Sequence, residues 1–567
     1  MDASADARTR DHVLTLQQME RALVRANVDE PQVLTDYEIR RLRYLISFAR
    51  LTVFEPGAAG EGRRSGRGEV DLTAELAPLR ERVVARLRGP LRTETEPSRR
   101  LLASREAYYE LEQLLDEGRR DVIRRHSSRF SAAELDAEVG VKNLVLVLGG
   151  GGGAGFVYLG AYRALADAGL LPDYLMGSSI GAVLGAVLSR ELPVPTGEYV
   201  EFARSLTYRS LLGPEPPRRH GLAGLMSLRF DEFAGPIFER DDGRQMRLHE
   251  TVIPFDVVVA GVHRQLFSRL PSSFRRRDLA RLQLDNLPVR PSGLGPQAVG
   301  RLWQVASFID TRMVKPIVLG GDDLTRQLNV VDAASFSAAI PGVLHHETKD
   351  PAMVPILDEL MATRDVAALV DGFAASNVPA EQAWIMVQRG RLGSRNAAFL
   401  ALDCFHPQLD PRHLWLTPIT RAVSLQMVRN LPYCDHLLQM SPTLSPLNLA
   451  PSDAALDRAL TWGSESMTAA LPFVTAMTET VWWEGERPSS DRERPTGHGR
   501  LRAMRTLLGD RFRTGLAAPS HSAPARERET SGRSSRAGRR RAGARAARTR
   551  PGGIAPCGRS SWPSPDR

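Results

Sequence analysis

The stretch VLVLGGGGGAGFVYLGAYRALADAG, Val145 to Gly169, sets five consecutive glycines, Gly149 to Gly153, between an apolar run and a segment of helical spacing. A strand that hands over to a helix through such a loop lets a ligand or a reacting group approach the backbone with no side chain in the way. Two visitors fit: a phosphate cradled by the loop amides, or the oxyanion of an acyl transfer. Gly150-Gly151-Gly152-Gly153-Ala154-Gly155 satisfies the G-x-G-x-x-G dinucleotide fingerprint. That fingerprint also needs an acidic residue about 20 residues on, at the end of the second strand, to hold the ribose hydroxyls. Asp173 stands instead at the start of the next apolar segment, whose end is Gly177-Ser178-Ser179-Ile180-Gly181.

This ending is the G-x-S-x-G pattern, in which a serine sits on a tight strand-to-helix turn and flanking glycines clear the strained residue. Ser179 is its centre, with Gly177 and Gly181 on either side. It opens a helix whose N-terminal dipole favours an oxyanion. Adjacent βα turns of a parallel sheet open on one edge, so amides of the loop carrying Gly150, Gly151, Gly152, Gly153 and Gly155 can point at an acyl group on Ser179. An α/β-hydrolase uses similar pieces, with more strands between glycine loop and elbow. Downstream, LVDGFAASNVP from Leu369 places Asp371 before Gly372 at the end of an apolar run. That aspartate is either a carboxylate presented at the sheet edge or an Asx-turn closing a strand. Histidines offer a second route to a base. His345 and His346, beside Glu347, lie either near the site or on a loop surface, and a Ser-His-Asp triad would draw on His406, His413 or His436.

Taken in order, G-G-G-x-x-G, G-x-S-x-G and D-G-x-x-x-N-x-P, with SFSAAIPGVL at Ser335–Leu344 before the aspartate, resemble the patatin-like phospholipase family. The resemblance covers about Val141 to Phe405. It implies a three-layer α/β fold with a central, mostly parallel sheet and a serine lipid acyl hydrolase that works by a Ser-Asp dyad. By that resemblance Ser179 is the nucleophile, Asp371 the base, and the glycine loop the oxyanion hole, with no metal or cofactor. Its substrates would be lipid esters presented at a membrane, lipid-droplet or micelle surface. Two residues depart from the family pattern: Ala154 replaces a basic residue before the last glycine of the loop, and Phe373 follows Asp371-Gly372 where a small residue is usual. The loss of the basic residue leaves a second reading open, a catalytically weak lipid-binding or scaffold protein of the same fold.

The 567 residues carry a formal charge of +9, which invites nucleic acid until its location is examined. The twelve arginines from His521 onward, against three acids, account for the whole excess. No nucleic-acid contact is therefore expected of the folded part. Residues 487–567 read as a low-complexity, Arg-rich disordered tail, either a solvated extension or a contact for anionic surfaces. Cys404, Cys434 and Cys557 show neither paired nor metal-ligand spacing, as in a reducing compartment. MDASADARTRDHVL lacks a basic n-region and an apolar h-region, and no apolar run reaches the length of a membrane span, so a cytoplasmic or peripheral protein is expected.

Residues 1–140 read as a helical accessory region, with capping boxes at Thr35–Glu38 and Ser131–Glu134 and a Gly/Arg/Ser-rich linker over residues 56–68. Residues 141–486 read as the catalytic domain, its motif core 141–405. Strands are expected at Leu144–Leu148, Asp173–Gly177, Phe255–Val262, Ala383–Met386 and Ala397–Phe405. The Arg-rich stretch Arg269–Arg290 is either a solvated loop or a face for an anionic interface. Met467–Trp483 is either an interfacial helix or a core helix closing the sheet. The sequence leaves the oligomeric state open.

Overall fold

The computed structural model describes residues 3–214, 219–267, 312–408 and 416–483. The Arg-rich stretch 269–290, His413, Cys557 and the tail 487–567 lie outside the described residues.

Five helices open the chain: α1 (Ala3–Asp29), α2 (Asp36–Arg50), α3 (Ala77–Arg88), α4 (Pro97–His126) and α5 (Ala132–Gly140). Both capping boxes form, satisfying amide groups that a helix start leaves without partners. Leu42, Leu45, Ile46 and Ala49 of α2 belong to a core shared with Leu16 and Leu23 of α1, Val83 of α3 and Leu111 of α4. Between α2 and α3 the short antiparallel pair β1 (Val53–Phe54) and β2 (Val70–Asp71) closes a turn-rich loop over residues 56–68. In that loop the Arg64 guanidinium pairs with the buried Glu55 at 3.0 Å.

The main sheet is built from β3 (Asn143–Leu148), β4 (Tyr174–Ser178), β7 (Phe255–His263), β8 (Val314–Leu319), β10 (Val366–Val370), β11 (Ala397–Asp403) and β12 (His436–Gln439). Its order is β10-β7-β4-β3-β11-β12, with β8 paired to β7. β4, β3, β11 and β12 run parallel to one another and to β7, while β8 and β10 run antiparallel to β7. A smaller sheet of β5 (Leu212–Gly213), β6 (Met226–Leu228) and β9 (Leu344–His345) lies beside it.

Because successive strand residues face opposite sides, Leu144, Leu146 and Leu148 pack into one apolar layer and Val145 and Val147 into the other. The first layer holds α6 (Val157–Asp167), α7 (Ile180–Ser189) and the helices Val330–Ser337 and Asp453–Thr478. The second holds helix Ala380–Gln388. The result is three layers, as a parallel sheet with both faces covered requires.

One expectation changes and one pair of alternatives is decided. Ala383–Met386 is no strand but the middle of helix Ala380–Gln388: AWIMV is apolar all round because the helix is buried, and periodicity alone cannot separate that from a buried strand. Met467–Trp483 resolves to a core helix. Met467, Ala470, Phe473 and Val474 of Asp453–Thr478 are buried, and Gly463 of the same helix lies against the Val157 carbonyl of α6.

The helical region is fastened to the sheet by buried charge. Glu20 of α1 meets Lys142, just before β3, at 2.8 Å, with Arg43 at 3.4 Å and Arg50 at 3.7 Å; Glu20 and Lys142 are both fully buried. Nearby Gln17 bonds both Asp435 and Trp384.

Candidate active site

The carboxyl ends of β3 and β4 lie side by side, Leu148 opposite Gly177, so the glycine loop and the serine turn open on the same edge. Asp173 sits at the far end of β4, where its carboxylate accepts the Leu144 amide. The five residues of β4 put it on the order of 17 Å from the loop, beyond reach of a ribose bound there.

Ser179 stands between the last residue of β4 and the first of α7 with φ +55° and ψ −125°, a region that side-chain-bearing residues rarely occupy. Its neighbours make the turn feasible. A Cβ at Gly181 would run into the Leu148 carbonyl and one at Gly177 into that of Gly181, so both positions exclude any other residue. The amide of Ser179 donates to Ser337 Oγ at 2.9 Å, and Ser337 Oγ donates in turn to the Val258 carbonyl of β7 at 2.6 Å. Ser337 closes helix Val330–Ser337 and belongs to the SFSAAIPGVL segment; its part in holding the turn escaped the sequence reading, which had only the phrase.

Ser179 Oγ donates to Asp371 Oδ2 at 2.7 Å. Asp371 caps a short turn after β10; its Oδ1 accepts the Phe373 amide at 2.9 Å and its own amide donates to the Ala339 carbonyl. The Asx-turn and the sheet-edge carboxylate are thus one and the same feature. Asp371 is fully buried with no cation beside it among the described residues, and burial pushes its carboxyl up to about 7 against the two hydrogen bonds that favour the charged form.

The glycines of the loop divide by what their amides do. Gly150 donates to the Asn377 carbonyl and Gly153 to that of Pro446. The amides of Gly151 and Gly152 have no acceptor among the described residues. Gly152 takes φ +54°, and a Cβ at Gly150 would lie 2.7 Å from Asn377 Oδ1 and 2.9 Å from Ser179 Cβ. Gly155 packs against Ile180, the residue after the serine. Gly372 is pressed on the Val258 carbonyl and leaves no room for a side chain.

Ser179, Gly152 and Gly153 line a cavity of about 120 Å³. Its wall is otherwise apolar, with Phe156, Val183, Leu184, Phe202, Phe230 and Ile340 among its residues. No charged side chain among the described residues lines it.

The histidines go elsewhere. His345 and His346 are buried rather than on a loop surface: His345 Nδ1 meets the Leu222 carbonyl at 2.9 Å, and His346 Nε2 meets Asp332 at 2.8 Å. His436, in β12, faces Arg25 and the Phe473 ring, and burial with the nearby Arg25 and Arg21 lowers it to about 4. His406 follows β11. No histidine among the described residues bonds Ser179 or Asp371.

The family model described as patatin-like phospholipase matches residues 146–384. Over 53 residues the chain is 43% identical to a lysophospholipase NTE1 of Coccidioides immitis, a stretch that covers 9% of this chain and 3% of that protein. Over 78 residues it is 37% identical to a lysophospholipase nte1 of Emericella nidulans, covering 12% of this chain and 5% of that one. The matches thus span a small fraction of the length of these curated relatives. The matched segment contains the glycine loop, the serine turn and Asp371, and residues 146–384 belong to the patatin-like phospholipase family.

Proposed function

We infer that the chain hydrolyses carboxylic esters of lipids through an acyl-enzyme on Ser179, with Asp371 as general base. The observation that carries this is the 2.7 Å bond from Ser179 Oγ to a buried carboxylate, beside an apolar cavity. A general base works best with a pKa near the operating pH, and burial brings Asp371 to about 7. As Ser179 Oγ attacks the ester carbonyl, Asp371 takes its proton. The tetrahedral oxyanion is held by the amides of Gly151 and Gly152, the two in the loop without an acceptor among the described residues, together with the N-terminal end of α7. Proton return from Asp371 releases the alcohol. The same carboxylate then activates a water that frees the fatty acid from Ser179. The cavity takes the acyl chain, whose methylenes gain about 0.8 kcal/mol each on burial.

The relatives are named for lysophospholipids, so lysophosphatidylcholine is the first substrate to try. Mass spectrometry of the products should find free fatty acid with the wild-type chain and none above background with Ser179→Ala or Asp371→Asn. Equal release by wild type and Ser179→Ala refutes the acyl-enzyme. Binding of the lipid without turnover favours the scaffold reading.

A further inference from the structure

The two most exposed large apolar side chains among the described residues are Leu425 and Val428, at 74% and 72%. Both lie on helix Thr417–Asn430, and Leu431 follows at 47%. With exposed Arg421 they fall at positions i, i+4, i+7 and i+10, a single stripe along the outer face of the helix and its end. The helix carries no acidic residue, and Arg421 has no carboxylate partner among the described residues. Arg429, also exposed, pairs with Glu381.

The inner face of the same helix is tied to the site. Leu416, Ile419 and Val423 pack with Phe373 and Leu344, and Ile340 adjoins them. Phe373 supplies the amide that holds Asp371, and Leu344 and Ile340 line the acyl cavity. The apolar stripe therefore stands one helix thickness from the cavity wall. An apolar row flanked by arginine, with no acid to repel phosphate, has the chemistry of a helix lying in the headgroup region of a bilayer.

We propose that this outer face, Arg421, Leu425, Val428 and Leu431, docks the chain on a phospholipid surface and brings the mouth of the Ser179 cavity to it. The proposal rests on the lipid hydrolase reading for its purpose, but its test needs no turnover. Full-length chain carrying Ser179→Ala is sedimented with vesicles of phosphatidylcholine, with and without phosphatidylserine. Adding Leu425→Glu together with Val428→Glu lowers the partition coefficient at least about tenfold, as expected when two apolar side chains no longer enter the interface. Arg421→Gln lowers binding to the serine-containing vesicles about fivefold at low salt and less at high salt. Circular dichroism checks that each variant keeps its helices.

Partition that is the same for the double variant and its parent overturns the proposal, as does a parent that stays in the supernatant with both vesicle types. Dimerisation lost in the double variant with vesicle binding intact would assign the face to a second copy and overturns it too. Hydrolysis of a soluble short-chain p-nitrophenyl ester, with Ser179 present, is measured in parallel. Its failure in the wild-type chain counts against the hydrolase reading and leaves the sedimentation result to decide the docking face.

Discussion

Replacing Asp371 by asparagine should stabilise the fold at alkaline pH while abolishing activity. The side chain keeps its shape: the amide oxygen can accept from Phe373 N, and the NH2 group can face Ser179 Oγ. What disappears is a buried charge. The wild-type carboxyl titrates at about 7 in the fold against an ordinary value of 3.8. At about 1.36 kcal/mol per pH unit, that difference corresponds to a penalty of about 4 kcal/mol on the folded state once the group is ionised. Between the two values the folded chain binds more protons than the unfolded one, so stability falls as pH rises. The penalty is absent well below 3.8, grows through the interval and is complete above 7.

Urea unfolding of wild type and Asp371→Asn at a series of pH values isolates this group, because other buried acids such as Glu138 and Asp435 are common to both chains. The variant should lie within about 0.6 kcal/mol of wild type at pH 4, exceed it by about 1–2 kcal/mol at pH 5, and by up to about 4 kcal/mol at pH 8. A difference that is flat across pH would mean that Asp371 titrates alike in folded and unfolded chain. It would remove the physical reason for regarding this carboxylate as a base poised near neutrality.

The same group sets the rate profile: log kcat/KM on a soluble ester should rise with unit slope up to about pH 7 and level off above, and a rise continuing to about pH 9 would point to another base. Ser337→Ala leaves the Ser179 amide and the Val258 carbonyl without the hydroxyl that joins them. It should cost about 1–3 kcal/mol in unfolding experiments and lower kcat about 10- to 100-fold with KM little changed. Val187→Phe, projecting into the acyl cavity, should cut the preference for long over short acyl chains at least about tenfold in competition assays. Glu20→Leu strands the buried Lys142 and should cost about 3–5 kcal/mol, most of it recovered by adding Lys142→Met, as a double-mutant cycle would register.

Ser179 and Asp371 were legible because each occupies a backbone situation that constrains its neighbours. The elbow needs glycine at 177 and 181, and the turn after β10 needs glycine at 372, so the letters record the geometry. The parallel core was legible for a similar reason, since strands covered on both faces read as continuous apolar runs. β8 did not read so, because Lys315 and Pro316 interrupt it; pairing along only one side lets an edge strand carry a proline. β12 is four residues long, too short to carry a pattern. Spacing could not tell which loop glycines keep a free amide, because the acceptors that consume Gly150 and Gly153 come from Asn377 and Pro446, far along the chain. His345 and His346 look like surface letters, and their burial depends on partners, Leu222 and Asp332, that only the tertiary fold supplies.

The two departures from the family pattern bear differently on the site than their letters suggest. Ala154 is fully buried in the turn after the glycines, its amide bonded to the Gly151 carbonyl and its methyl in the core with Phe156 and Val157. A long basic side chain at this position would start inside that core, so the loop is held here by packing and by the Gly153–Pro446 bond rather than by charge. The amides of Gly151 and Gly152, without an acceptor among the described residues, precede Ala154 and do not involve its side chain. At Phe373 the group that meets Asp371 is the backbone amide, which any residue but proline would supply; the ring packs with Ile419 and Val423 of the helix that carries the exposed stripe. At Ala154 a buried methyl thus packs where the family resemblance implies a basic side chain. The other departure, Phe373, couples the turn that carries Asp371 to the helix that carries the exposed stripe.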